Sequence, residues 1–356
     1  MAFSAQRALM AAGLKAVIPT FSFTARTLSG VGGNIGVMEV NPAGIWQALG
    51  YNNDSGGDCG SWSSPDGDTW THRSTTVAND YFPLGICWDP VENRFVSSMG
   101  SFSVSNRTMN SVGEGNWSSL GSLLANHQIT GLAHDGSQII AASERNDSTI
   151  DGMSTPDGDP WTIRSQIVST SNTFPGNGDY DHVNGIYTGC MQRISGGDIS
   201  QVIFTTTDGV TFTTRDTPLN FGLFSVVYNI YTKTWCATGL THSTPARVKI
   251  ITATDPTGTW TNRSPLYPGV TSVNKGLRDV AAFPGGFIAV GVDSTNKATV
   301  FTSSDNGVTW GEETDYDQFN VADRRFDAVA YYPTTGKICI AGGNSAFFST
   351  RFLESN

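Results

Sequence analysis

The sequence predicts an all-β fold, a seven-bladed β-propeller of four-stranded antiparallel blades, and three observations predict it. First, an acidic turn running into an aromatic residue returns six times, with the closing aromatics at 70, 117, 161, 212, 260 and 310, so the steps are 47, 44, 51, 48 and 50 residues. A period near fifty with one hairpin turn per period is the signature of a ring of four-stranded sheets. Second, short alternating apolar stretches are separated by Gly, Pro, Asn and Asp, and no sustained helical period follows Pro19. Third, the last period breaks off early, and a segment matching its missing strand stands at the other end of the chain.

Each period supplies the same pieces. Inner-strand candidates ending in a turn are Gly36 to Pro42, Gly85 to Pro90, Gly131 to Gly136, Gly185 to Cys190, Ser225 to Ile230, Asp279 to Pro284 and Ala328 to Pro333. Second strands follow, as in Gly286 to Gly291 and Lys337 to Gly342, and third strands lead into the acidic turn, as in Gln201 to Thr205 and Ala298 to Thr302. Fourth strands begin at the aromatic and carry Arg73, Arg164, Arg215 and Arg263 at one recurring place. The seventh period ends with Ala346 to Phe352 and has neither acidic turn nor fourth strand. Phe23-Thr24-Ala25-Arg26-Thr27 matches the fourth-strand pattern, and Phe23 lies 47 residues before Trp70. The N-terminal strand is therefore expected to complete the last blade, which removes an exposed sheet edge.

The turns Ser64-Pro65-Asp66-Gly67-Asp68-Thr69-Trp70, Thr206-Thr207-Asp208-Gly209-Val210-Thr211-Phe212 and Ser303-Ser304-Asp305-Asn306-Gly307-Val308-Thr309-Trp310 resemble the Asp-box, or bacterial neuraminidase repeat. Thr155 to Trp161 and Thr254 to Trp260 are looser copies, and a worn one ends at Trp117. The resemblance implies that Asp66, Asp157, Asp208, Asp255 and Asp305 accept turn amides, that glycine supplies a positive φ, and that Trp70, Trp161, Phe212, Trp260 and Trp310 pack between sheets. It implies a structural role, with the boxes on the face opposite the functional site. Sialidases, xyloglucan hydrolases, sorting receptors, photosystem assembly factors and viral proteins carry the box, and the chain is similar to propeller proteins of phage particles.

The 356 residues divide into an N-terminal arm with a short helix, residues 1–20, and one propeller domain, residues 21–356. Apolar content of 38% with 19 Phe and 9 Trp supplies cores between blades, while only 15% of residues are charged, a composition suited to a surface outside a cell. A formal charge of −10 opposes binding to nucleic acid or an anionic membrane, and no apolar run approaches the ~20 residues that membrane insertion needs. Five cysteines without a CxxC pair read as buried reduced thiols. In the arm, Ser4 caps a helix over Ala5 to Leu14 with Pro19 as its stop. The competing reading, a secretory signal, is opposed by an apolar stretch that runs only from Ala8 to Leu14 before Lys15, so the chain is expected to be made in the cytoplasm without a signal peptide. The helix then either docks on another virion or assembly protein or packs on the ring.

Loops entering the inner strands are the expected functional face. The longest, Ser165 to Asn184, contains Phe174, Asp179, Tyr180, Asp181 and His182, and another contains Asp315, Tyr316, Asp317, Arg324 and Arg325. Tyr81 and Phe82 lie in a third and Tyr267 in a fourth. Aromatics beside carboxylates stack on sugar rings and accept hydroxyl protons, which points to a glycan or receptor site. On the opposing reading the acids cap turns and the aromatics pin loops. A sialidase would need an Arg-Ile-Pro-like strand near the N-terminus, where this chain reads Val31 to Gly36 without arginine, and the recurring arginines belong to the repeat. The histidines at 72, 127, 134, 182 and 242 have no ligand spacing, so neither metal nor cofactor is expected. The expected function is a non-enzymatic structural or adhesive propeller of a phage virion, in the tail or an outer decoration, anchored through residues 1–20 and binding a host-surface glycan or receptor. The alternative is a glycoside hydrolase with Asp179 or Asp181 opposite Asp315 or Asp317, about 5 to 9 Å apart.

Overall fold

A computed structural model describes residues 24–26, 34–51, 59–75, 81–101, 107–122, 126–145, 147, 149–169, 173–195, 198–216, 222–240, 248–264, 276–292, 298–313, 325–343 and 347–351. The arm, Tyr267, Asp315, Tyr316, Asp317 and Arg324 lie outside the described residues.

Among the described residues the strands form seven hydrogen-bonded sheets, each of four antiparallel strands. The first is β2 (Asn34–Val40), β3 (Trp46–Tyr51), β4 (Cys59–Ser64) and β5 (Thr71–Arg73); the second is β6 (Tyr81–Asp89), β7 (Arg94–Ser101), β8 (Arg107–Ser111) and β9 (Ser118–Ser122). The third is β10 (His127–His134), β11 (Ile139–Arg145), β12 (Thr149–Thr155) and β13 (Thr162–Ser169); the fourth is β14 (Thr173–Asp181), β15 (Ile186–Ser195), β16 (Asp198–Thr206) and β17 (Thr213–Asp216). The fifth is β18 (Gly222–Asn229), β19 (Thr234–Leu240), β20 (Val248–Ala253) and β21 (Thr261–Asn262); the sixth is β22 (Leu277–Phe283), β23 (Gly286–Val292), β24 (Ala298–Ser303) and β25 (Gly311–Glu312). The last holds β26 (Phe326–Tyr332), β27 (Lys337–Gly342) and β28 (Phe347–Arg351), with β1 (Thr24–Arg26) as its outermost strand. Thr24 pairs with Ser349, Ala25 with Phe348 and Arg26 with Phe347.

The core lies between sheets. Trp46, Trp62 and Trp70 of the first sheet pack on Ala328, Cys339 and Ala341 of the last, which closes the circle. Each remaining cluster likewise joins two consecutive sheets, as where Ile140 and Ile150 meet Tyr187, Met191 and Phe204. Burying a large apolar side chain contributes about 1.5–3 kcal/mol, so these clusters hold the ring. The outermost strands have little left to bury, and in the fifth and sixth sheets they shrink to two residues, Thr261–Asn262 and Gly311–Glu312.

One sheet corrects the sequence expectation. The supposed long loop from Ser165 to Asn184 is largely strand: its start belongs to β13 and Thr173–Asp181 is the inner strand β14, so Gly185 to Cys190 is not the inner strand but the turn and start of the second. The stretch Phe174-Pro175-Gly176-Asn177-Gly178 looks like a turn because inner strands crowd at the axis. A Cβ on Gly176 would lie 2.4 Å from the Phe224 carbonyl oxygen, and one on Gly178 2.3 Å from the Tyr187 hydroxyl. All seven inner strands also carry one register shift, as between Pro175 and Gly178 or Leu277 and Asp279. Such a bulge re-aims the residues that follow it.

Candidate functional site: the axial cavity

Inner strands end in turns, and because strands alternate in direction, the turn after each third strand lies on the same face. The first set of turns is held by Asx bonds: Asn41 Oδ1 accepts from Ala43 and Ile45 N–H, Asp89 Oδ1 from Val91 and Glu92, Asp181 Oδ1 from Val183 and Asn184, and Asn229 Oδ1 from Tyr231 and Thr232. The second set is the acidic turns. In the fullest, Gly67 N–H donates to Ser64 Oγ at 2.8 Å and both Asp68 and Thr69 N–H donate to Asp66 Oδ1 at 2.8 Å. Asp208 repeats this with Val210 and Thr211, and Asp305 with Thr309. Gly67 and Gly209 adopt φ of 72° and 66°, a region that favours glycine. The looser turns make fewer bonds, with Asp157 accepting from Asp159 at 3.3 Å and Asp255 from Thr257 at 2.8 Å. Trp70, Trp161 and Trp260 are buried, while Phe212 and Trp310 are partly buried against neighbouring clusters.

A cavity of about 500 Å³ lies on the axis, and its wall runs from mid-strand residues such as Val37, Gly178 and Ser225 to turn residues such as Pro42, His182 and Thr334. It therefore opens on the face of the acidic turns, not on the opposite one. Its mouth is collared by Trp88, Tyr180, His182, Tyr231, Tyr331 and Tyr332. Packing holds the collar: Trp88 stands edge-on to Phe95 with centroids 4.9 Å apart, Tyr180 edge-on to His182 at 4.8 Å, and Tyr332 edge-on to Trp46 at 6.4 Å.

Below the collar, three carboxylates come from three different sheets. Asp179 Oδ2 accepts the Tyr228 N–H at 2.8 Å and its Oδ1 the Tyr180 N–H at 2.8 Å. Asp279 accepts from Ser225 Oγ at 2.8 Å, from Val280 N–H and, across to the next sheet, from Val329 N–H at 2.9 Å. Glu39 Oε1 accepts the adjacent Val40 N–H at 2.8 Å. Burial pushes the Glu39 carboxyl up to about 8, with Asp179 and Asp279 adding repulsion. Burial also raises Asp179 to about 6, against the two N–H donors that favour its charged form, and raises Asp279. Among the described residues no lysine or arginine lines the cavity. His134 accepts the Gly136 N–H on Nδ1 and turns Nε2 toward Asp89 Oδ1 at 3.4 Å, and burial lowers its basicity.

The expected site residues divide. Asp179, Tyr180 and His182 line the cavity, whereas Asp181 does not and serves its turn. Tyr81 and Phe82 are not in a loop but in β6; Tyr81 is buried, accepts from Arg107 Nε at 3.0 Å and is a packing residue away from the cavity. Phe174 lies in β14 paired with Gln192, and Arg325, at the entry to β26, donates to Asp327 at 2.6 Å. The recurring arginines do serve the repeat: Arg73 Nε donates to Ser63 Oγ, Arg164 to Ser154 and Arg263 to Thr252. All five cysteines are buried and none is in a disulfide. Among the described residues no three His, Cys, Asp or Glu side chains converge as metal ligands. Sequence reasoning missed Glu39, Trp88, Tyr231, Asp279, Tyr331 and Tyr332. The available signal was a carboxylate inside an apolar inner strand, as at Glu39 and Asp279.

No protein-family model and no curated protein sequence matches the chain. Solved structures do. A catalytically inactive virginiamycin B lyase from Staphylococcus aureus, crystallised with Quinupristin, superposes with a TM-score of 0.64 at 11% identity over 94% of this chain and 100% of that one. The WD40 beta propeller domain of Doa1 gives 0.58 at 13% over 93% and 98%, and U3-55K gives 0.60 at 8% over 93% and 98%. At such identities the likeness is one of fold, and the chain is a β-propeller built of four-stranded antiparallel blades.

Proposed function

We propose that the chain is a non-enzymatic adhesive propeller that binds a host-surface glycan through the axial cavity, carried on a phage particle in its tail or outer decoration. The observation that carries the binding reading is the gathering of Trp88, Tyr180, Tyr231, Tyr331 and Tyr332 around one mouth above Glu39, Asp179 and Asp279. Aromatic faces stack on pyranose rings, and carboxylates accept hydroxyl protons. Asp179 and Asp279 hold backbone N–H groups of the next sheet, which suits binding and bracing better than proton transfer. The particle setting rests on the likeness of the acidic turns to the Asp-box and on the arm of residues 1–20, which would engage another virion or assembly protein.

An array of host-surface glycans tests this, with retention and sugar release measured together. Retention without release is expected, weakened roughly tenfold, or about 1.4 kcal/mol, in Trp88→Ala. Release of reducing sugar would replace adhesion with hydrolysis through Glu39 and Asp179. Retention of no glycan would remove the reading.

A further inference from the structure

The inference rests on the reading of the axial cavity as a glycan site and concerns which glycans it takes. Three carboxylates from three sheets line one cavity, and among the described residues no lysine or arginine lines it. Among the described residues Glu39 accepts one hydrogen bond, from its own neighbour's N–H. Half-buried carboxylates set near one another without a cation repel, and a ligand that supplies positive charge relieves that repulsion. A metal ion does not fit the arrangement, because the three groups stand on β2, β14 and β22 around the axis and do not converge as ligands. An ammonium group can answer them together, since its charge draws on Asp179 and Asp279 and favours release of the Glu39 proton, and its three donors reach whichever oxygens are nearest. The collar adds a second attraction, because tyrosine and tryptophan faces attract cations and also stack on sugar rings. A cavity of about 500 Å³ is of ligand size, and the six rings in its lining offer a sugar faces to stack on.

We propose that the cavity selects a glycan bearing a free amine, with the ammonium seated among Glu39, Asp179 and Asp279 and the sugar face on the collar. The test uses the full chain in calorimetric titrations at neutral pH with a chitosan tetramer, a chitin tetramer and tetralysine. The chitosan tetramer is expected to bind roughly tenfold tighter than its acetylated counterpart, with affinity falling as salt is raised. Glu39→Gln, which keeps an acceptor for Val40 N–H, should weaken the chitosan tetramer and leave the chitin tetramer unchanged. Equal or tighter binding of the chitin tetramer would overturn the amine selection while the glycan reading stands. Binding of tetralysine alone would overturn both and point to a basic peptide, and failure of all three would also overturn the inference. The comparison of ligands on the unaltered chain needs no variant to fold.

Discussion

Lys337 Nζ lies 2.5 Å from Asp68 Oδ2 and 2.5 Å from the Asp66 carbonyl oxygen, so the start of β27 pins the last sheet to the acidic turn of the first. The tie recurs around the ring. Arg94, at the start of β7, donates to the Asp157 carbonyl at 2.5 Å, and Gln138, just before β11, donates to that of Asp208 at 3.5 Å. The acidic turns thus fasten neighbouring sheets as well as ending their own. Lys337→Met should remove a charge-assisted bond at the closure and cost about 1.5–3 kcal/mol in urea unfolding. An unchanged midpoint would show that the apolar cluster closes the ring unaided.

Acid should loosen the turns in a definite window. Thr211 and Val210 N–H hold the Asp208 carboxyl down to about 2, from an ordinary value of 3.8. A depressed carboxylate stabilises above its unfolded value, and that stabilisation fades as pH falls from 3.8 toward 2. Asp208 is exposed, so solvent screens the effect. Asp208→Ala should cost about 1 kcal/mol at neutral pH and narrow the loss on acidification, read from melting curves across that window.

Glu39 should act in the opposite sense. Its folded value of about 8 lies above the ordinary 4.5, so the folded state holds a proton that the unfolded state releases. Stability from this group is full below 4.5 and is lost as pH rises toward 8. Glu39→Gln should therefore gain on the parent as pH rises, and parallel melting temperatures across the range would contradict the burial assigned to Glu39.

Glycine at the axis should be irreplaceable. Gly176→Ala sets a Cβ 2.4 Å from the Phe224 carbonyl oxygen, whereas Gly311 has nothing within 4 Å of the added atom. The first substitution should cost about 1–3 kcal/mol or more and the second little, by chemical denaturation. Equal effects would place β14 away from the axis.

Removing residues 1–27 takes away β1 and leaves β28 with an unpaired edge. The truncated protein should melt lower and aggregate, as light scattering on heating would register. Unaltered melting would show that the last sheet needs no fourth strand.

The repeating turns made the architecture legible, because an Asx bond, a positive φ and a buried ring are local demands that only a few residue types meet. The site was less legible. Asp179, Tyr180 and His182 were noticed as a loop cluster, yet Glu39, Asp279 and Trp88 sit in stretches that read as plain inner strands, and Tyr231 in the turn just after one. Tyr81 looked equally suited to a ligand and is instead buried against Arg107.

The chain alone determined the period, the strand–turn alphabet and the pairing of Thr24-Ala25-Arg26 with the unfinished last period, since each follows from local chemistry and spacing. Only the tertiary structure decided which face is hollow and which acids share it. Glu39, Asp179 and Asp279 are far apart in sequence and meet because inner strands converge on an axis, where bulges and burial, set by every sheet at once, govern direction and charge.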